Sequence, residues 1–354
     1  MEQRIHDDRS EGLNVVAIGG GTGLSTMLSG LKEFVSEGPS GEVCIDHLSA
    51  IVTVTDDGGS SGRLRTERQM LPPGDIRNCM VALSEDSLLL SRLFRHRFSG
   101  KVGLGGHNFG NLFLAALTEI TGDFAEAVRL SSEILASKGR IFPATTADVH
   151  LVAELHDGRV ICGETNISKV GPVIKRLRLE PENCDPMPEA IEAIREADVI
   201  TVGPGSLFTS LLPPLLVAGV PGAIAGSRAV KIFVNNLMTQ PGETDGFTSA
   251  RHLETLRQYA PEIKFDYLLV NDRPISERQR ELYEFEGAEQ IGVHGSIREV
   301  EIEGARVLYN NLLDDGDKVR HHPVRLARAI LRCASRNDCA TDIASEHLAK
   351  PASV

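Results

Sequence analysis

Hydrophobic and polar positions along the chain fall into two periods, one of strands and one of helices. Val15, Val16, Ala17 and Ile18 form a short, continuously apolar run, as expected of a strand buried on both faces. The run stops at Gly19-Gly20-Gly21-Thr22-Gly23, after which Leu24, Met27, Leu28, Leu31 and Val35 recur at helical spacing. A second strand is expected over 48–54, followed by a polar loop over 55–62. Pro72-Pro73-Gly74 then breaks the chain, and Asp75 is placed to cap a helix carrying Ile76, Cys79, Met80 and Leu83 on one face. Further helices are expected from Asn108, with Leu112, Ala115 and Ala116, and from Asp123, with Phe124, Ala127, Val128, Ile134 and Leu135. Strands and helices are thus expected to alternate over 14–140.

Residues 148–165 differ in kind. DVHLVAEL and RVICGE are joined by His156-Asp157-Gly158, which predicts a β-hairpin with Asp-Gly as its turn, an antiparallel excursion from the main sheet. A polar, proline-marked connector occupies 181–188. Beyond it the pattern predicts a helix over 189–197, strands over 198–202 and 231–234, a helix over 249–259 and a strand over 265–270. A strand or hairpin over 300–310 and a closing helix over 322–335 complete it. This alternation implies an α/β fold, a mostly parallel sheet with helices on both faces. One domain is expected over 13–335, with the hairpin inserted near 148–165 and flexible polar tails at 1–12 and 337–354.

Composition narrows the function. The chain has 354 residues, 41% of them hydrophobic, and a net charge of -12. That balance argues against a general affinity for nucleic acid or for anionic membrane, so an anionic ligand must be held locally. No apolar run is long enough to span a bilayer, and the N-terminal MEQRIHDDRS lacks the apolar core of a signal peptide. Six cysteines are scattered without a C-x-x-C pair, which points to a reducing compartment and a cytoplasmic protein. The absence of Trp and the 5% aromatic content leave no stacking platform for single-stranded nucleic acid.

Candidate chemistry gathers at the predicted strand ends. Strand, glycine loop and helix in succession present free backbone N–H groups and a positive helix end to an anion, which makes Gly19, Gly20, Gly21, Thr22 and Gly23 a candidate phosphate cradle. Leu24 occupies the third glycine position of the dinucleotide fingerprint, and no Gly-Lys-Ser/Thr follows. Neither a standard NAD site nor an ATP-hydrolysing loop is expected, nor any tightly held organic cofactor. Other strands end in Thr55-Asp56-Asp57-Gly58-Gly59-Ser60-Ser61-Gly62, Gly203-Pro204-Gly205-Ser206, Asn235-Asn236 and Asn271-Asp272. Ligands of open parallel sheets bind beyond the carboxyl ends of the strands, so these loops are expected to share a crevice.

Asp56 and Asp57 are adjacent carboxylates that repel one another unless a cation intervenes. Mg²⁺ suits one or two carboxylates plus phosphate oxygens, which makes Asp57 and Asp75 the candidate metal ligands. An Asx turn and a plain helix cap are the alternatives. Asp56, Gly58, Ser60 and Ser61 add polar groups for a phosphate. Gly203, Pro204, Gly205 and Ser206 form a second candidate anion loop or a simple turn, with Ser206 capping the helix behind it. Asn235 and Asn236 suit a base or ribose and suit a turn equally, and the loop over 239–245 is expected to cover the crevice. His107, Asn108 and Asn111 open a helix; His107 is a candidate phosphate contact or acid, against a structural role. Arg63, Arg65 and Arg77 could pair phosphates, with solvated surface charge the default for each. No Ser-His-Asp spacing, nucleophile elbow or H-E-x-x-H is present.

The blocks VVAIGGGTGLSTMLSGLK, VTVTDDGGSSGRLR, PPGDIRNC, GHNFGNLFLAALTEITGDF, VGPGSLFTSLLPPLL and VNNLMTQPGETDGFT resemble the signature blocks of the YvcK-type gluconeogenesis factor family. That family shares a superfamily with the CofD-type 2-phospho-L-lactate transferases. The resemblance runs from about residue 13 to 335. It implies a Rossmann-like CofD fold in a cytoplasmic bacterial protein that is needed for normal cell shape on gluconeogenic carbon sources and binds nucleotide-linked sugars. In the transferase relatives the aspartates matching Asp57 and Asp75 hold a divalent metal against nucleotide phosphates, and the glycine loop matches Gly19 through Gly23. The sequence departs from them in carrying DDGGSSG where the transferases have a differently composed loop facing the deazaflavin acceptor, and no aromatic-rich acceptor pocket is visible. The expectation is therefore a nucleotide-sugar-binding regulatory protein, self-associating, with a partner in envelope synthesis. The alternative is a Mg²⁺-dependent transferase of a phosphorylated group; an NAD-dependent oxidoreductase is disfavoured by the failed fingerprint.

Overall fold

The first apolar run becomes β1 (Leu13–Gly19), and the chain turns directly into α1 (Gly21–Leu31). A short 3₁₀ turn ends that helix, and Val35 bridges Ile45 at the start of β2 (Ile45–Val52). The computed structural model describes residues 12–36, 43–85, 88–100, 102–169, 174–292 and 299–334. Of the expected tails, 1–11 and 337–354 lie outside the described residues, while the N–H of Gly12 donates to the Asp46 carboxylate.

The stretch after β2 departs from expectation. α2 (Gly59–Arg68) begins inside the predicted loop and places Ser60 and Ser61 in its first turn. Pro73, not Asp75, takes the cap position of α3 (Gly74–Leu83), and Asp75 lies in the first turn. α4 (Leu88–Arg95), α5 (Phe109–Thr121) and α6 (Phe124–Ile134) follow, the last two starting where expected and capped there by the side chains of Asn108 and Asp123, and only then comes β3 (Arg140–Pro143). Five helices in succession replace the expected alternation.

The hairpin forms as β4 (His150–Leu155) and β5 (Val160–Cys162). After α7 (Glu164–Ile167), β6 (Ile174–Glu180) pairs with β4 on its other edge. The excursion is thus a separate three-stranded antiparallel sheet, ordered β5-β4-β6. The sequence IKRLRLE of β6 carries the strand alternation that the excursion needed for a third member.

The main pattern resumes with α8 (Pro188–Glu196) and β7 (Val199–Val202). A wide π-type turn, Leu207–Leu211, leads into α9 (Leu212–Leu216). Then come α10 (Val220–Gly226), β8 (Val230–Val234), α11 (Ser249–Tyr259) and β9 (Tyr267–Asn271). α12 (Glu277–Phe285), β10 (Glu301–Ile302), β11 (Ala305–Asn310) and α13 (Pro323–Ala334) complete the described chain. Among the described residues no single helix is long and apolar enough to cross a membrane; the apolar stretch of α9 and α10 is bent by 80°.

The eight-stranded sheet is ordered β10-β11-β9-β8-β7-β1-β2-β3 and is parallel except for the β10–β11 hairpin. From β1 the chain steps one way to β2 and β3, then crosses to β7 and steps the other way through β8, β9 and β11. The order reverses between β1 and β7, which pair in parallel from Val15↔Val199 to Ile18↔Val202. Such a reversal opens a crevice beyond the strand ends, here between Gly19 and Gly203.

α1 is fixed from its other end by α13. A Cβ on Gly30 would overlap the carbonyl of Pro323, so only glycine lets the two helices meet there. Gly30→Ala is expected to lower stability by about 1–3 kcal/mol in urea unfolding. Gly222→Ala in α10, where a Cβ meets nothing within 4 Å, is expected to raise it by a few tenths to about 1 kcal/mol.

Candidate functional site

The start of α1 is open. Gly20 caps it in extended conformation and, lacking a side chain, adds no capping bond of its own; of the first-turn amides, that of Gly21 is taken by Asp75. Gly20, Gly21, Thr22 and Gly23 line a cleft of about 450 Å³ whose remaining walls include Gly205, Ser206, Asn236, Gln240, Arg320 and His321. The β1 and β7 loops touch at its base: a Cβ on Gly23 would overlap the Pro204 carbonyl.

The second loop spends its polar groups internally. Asn236 braces Gly205 from both sides, accepting its N–H at 3.1 Å and donating to its carbonyl at 2.8 Å. Ser206 occupies the cap position of the turn Leu207–Leu211, but its side chain does not bond the turn. Glu243, only 2% exposed, does: it accepts from the Phe208 N–H at 2.9 Å, from the Thr209 N–H and from the Ser206 hydroxyl. Burial nevertheless pushes its pKa up to about 7. Asn235 donates to Ser249 Oγ at 2.9 Å and so anchors the start of α11.

The acidic residues form an adjoining cluster. Asp56 closes an Asx turn, accepting the Gly58 N–H at 2.8 Å, and its other oxygen would lie 2.7 Å from a Cβ on Gly74. Asp75 accepts the N–H of Gly21, and its Oδ2 would lie 2.7 Å from a Cβ on Gly20. Burial, and then the charge of Asp56, push the pKa of Asp75 up to about 6. Asp57 turns elsewhere: its Oδ1 accepts from the backbone N–H and the hydroxyl of Thr165, at 2.9 and 2.6 Å. That clamp holds α7 and brings Glu164 to the acidic group. Burial, followed by the charges of Asp75, Asp56, Asp57 and Glu243, raises the Glu164 pKa to about 9, and its Oε2 is buried without a partner.

Among the described residues no three His, Cys, Asp or Glu side chains converge to hold a metal by themselves. Asp56 and Asp75, crowded and all-oxygen, fit Mg²⁺ provided that phosphate oxygens complete its shell. In this geometry Asp56 rather than Asp57 is the carboxylate that faces Asp75.

The third group stands behind the acidic cluster. His107 is buried with Nδ1 3.0 Å from the Ser60 hydroxyl, and burial and Arg63 hold its pKa low, so the ring is neutral. Asn108 accepts the Gly110 N–H at 2.9 Å and donates to the Arg95 carbonyl. Asn111 is 2% exposed, and its Oδ1 has no partner. Ser61 lies against Gly74. Arg63 holds the carbonyls of Gly105 and Gly103, at 2.8 and 3.3 Å. Arg65 corrects the expectation of a solvated charge: it is buried and pairs with Asp148 at 2.6 Å. Arg77 donates to Asn78 at 2.6 Å.

The predicted residues therefore divide between a glycine-lined cleft and an acidic cluster, joined where Asp75 takes the Gly21 N–H. Four residues in these two groups had no individual sequence signal. Glu243 and Gln240 sit in the loop expected to cover the crevice, Glu164 follows the hairpin, and His321 precedes the last helix.

Asp75, Glu243 and Glu164, with ordinary values of 3.8, 4.5 and 4.5, all hold protons more tightly when folded. Their contribution to stability is complete below about pH 4 and is lost as pH rises through the folded values of about 6, 7 and 9. In magnesium-free buffer the melting temperature is expected to fall between pH 6 and pH 8.5. Asp75→Asn should flatten the lower part of that slope, and differential scanning calorimetry of the two proteins checks it.

The chain resembles known proteins over most of its length. The family model described as 2-phospho-L-lactate transferase CofD matches residues 15–313. A putative gluconeogenesis factor of Aquifex aeolicus is 48% identical over 324 residues, covering 90% of this chain and 96% of its own. The gluconeogenesis factor of Bacillus subtilis is 44% identical over 318 residues, covering 90% and 96%. A crystal structure of a UPF0052-family protein from Bacillus halodurans superimposes with a TM-score of 0.83 at 43% identity, covering 91% of this chain and 99% of that one. Fold, glycine loops and sequence agree: this chain belongs to the CofD family and, within it, to the gluconeogenesis factors.

Proposed function

We propose that this is a nucleotide-sugar-binding regulatory protein, with the ligand's diphosphate seated at the start of α1. The glycine-capped helix start, opening into a cleft where the strand order reverses, is the observation that carries the proposal. The Thr22 and Gly23 amides, beyond the Gly21 N–H that Asp75 takes, and the positive helix end supply the anion site. Mg²⁺ held by Asp75 and Asp56 would bridge the phosphates to the acidic cluster, and the base or sugar would lie toward Asn236 and Gln240. The name gluconeogenesis factor, borne by the relatives, supports a role in carbon metabolism; a link from carbon supply to cell shape and envelope synthesis is part of the proposal. Self-association and an envelope-synthesis partner belong to the same proposal.

A second function, transfer of a phosphorylated group from a nucleotide-linked donor, draws support from the crowded carboxylates and from the transferase name of the family model. Mg²⁺-dependent turnover of the donor would favour it; tight binding without turnover favours the regulator.

A saturating nucleotide-sugar is expected to stabilise the protein by mass action, by about 2.7 kcal/mol at a hundred times Kd. Thr22→Asp places a charge at the exposed helix start without straining it and should weaken UDP-sugar binding at least tenfold, about 1.4 kcal/mol. Gly21→Val, at φ +64, should abolish binding. Undiminished binding by both variants, each folded by circular dichroism, would refute the site. On gluconeogenic carbon, neither variant is expected to restore normal cell shape to a strain lacking the protein.

A further inference from the structure

His321 and Gln240 line the same cleft as the start of α1, and each carries a buried side-chain atom without a hydrogen-bond partner. His321 lies between β11 and α13, bridged to Leu313, and is 7% exposed. Its ring donates to the backbone carbonyl of Asn235, while Nε2 has no partner, so the donor is Nδ1. Burial keeps the ring neutral at physiological pH. A neutral imidazole has a single N–H, and Asn235 takes it, so Nε2 presents a lone pair.

Gln240 is fixed by a similar chain. The Ser206 hydroxyl donates to Glu243 and therefore accepts from the Gln240 amide nitrogen, 2.7 Å away. The amide oxygen is left buried without a partner. Buried acceptors in folded proteins are nearly always satisfied. Both of these residues line the cleft into which α1 opens.

We propose that His321 Nε2 and Gln240 Oε1 are specificity-determining acceptors that read a hydrogen-bond donor on the bound nucleotide, either a ring N–H of its base or a hydroxyl of its sugar. The proposal rests on the cleft being the diphosphate site. Its chemistry is selective. Uracil and guanine carry a ring N–H on their pairing edge, where cytosine and adenine carry a bare nitrogen that would oppose the imidazole lone pair.

Titration calorimetry with UDP, GDP, CDP, ADP and UDP-glucose tests it on the wild-type protein, His321→Phe, His321→Gln and Gln240→Leu. If the base is read, the wild type binds UDP and GDP at least tenfold more tightly than CDP and ADP. His321→Phe then erases that preference, and His321→Gln, which keeps an acceptor, restores part of it. If the sugar is read, the four diphosphates bind alike, UDP-glucose exceeds UDP at least tenfold, and His321→Phe and Gln240→Leu remove that gain. Wild-type protein with N3-methyl-UDP needs no variant to fold: a tenfold loss supports the base, and no loss leaves only the sugar. The proposal is overturned if the wild type binds these ligands without either preference, or if the preference survives in both His321→Phe and Gln240→Leu. A wild type that binds none of them overturns the cleft assignment, and this proposal with it.

Discussion

The contact of Gly23 with the Pro204 carbonyl is the constraint on which the site depends. β1 and β7 are neighbours in register at the centre of the sheet, so their loops leave it at the same level. Two chains can turn away side by side there only if one has no side chain at the crossing. With that space closed, the start of α1 is pressed toward the β7 loop, and the room beyond the strand ends is left as one cleft. Gly30 applies the same rule at the other end of α1, against Pro323. The helix is thus seated at both ends by close main-chain contact, with Leu24, Met27, Leu28 and Leu31 buried between.

A chain of net charge -12 has to gather acids at this site without repelling them apart. It does so by giving nearly every carboxylate a fixed main-chain donor. Asp56 takes the Gly58 N–H, Asp57 that of Thr165, Asp75 that of Gly21, and Glu243 those of Phe208 and Thr209. Four of these donors, Gly21, Thr165, Phe208 and Thr209, lie within the first residues of α1, α7 and the Leu207–Leu211 turn, where the amides have no partner within the helix and the helix end is positive. Glu164 is the member left with a buried oxygen unmet, and it shows the largest rise in pKa of the group.

What the sequence disclosed was local. The β1 strand, the glycine loop, the caps at Asn108 and Asp123, the Asp-Gly hairpin turn and the bounds of α11 at Ser249–Tyr259 are written in short-range patterns, and all of them formed. The crevice followed from one topological rule applied to strand ends. What stayed hidden was long-range. Nothing around Glu243 signals that its carboxylate will cap a turn more than thirty residues earlier in the chain, because that depends on how the 239–245 loop folds back. Asp57 read as a metal ligand because its neighbours are glycine and aspartate; its partner Thr165 lies in α7, more than a hundred residues further along the chain. His321 and Glu164 gain meaning only from neighbours that are distant in sequence. The five-helix run was mistaken for alternation because polar loops and helix caps look alike until packing decides between them.

Two helical segments begin at the switch point, and Glu243 has already filled one of those beginnings with the protein's own carboxylate. At the start of α1 a carboxylate, Asp75, takes only the Gly21 N–H, so an incoming polyanion meets its remaining amides there. The charged part of such a molecule is consequently confined to the α1 side of the cleft, because the other side already carries the Glu243 carboxylate. Placement of this kind comes from blocking one of two neighbouring seats.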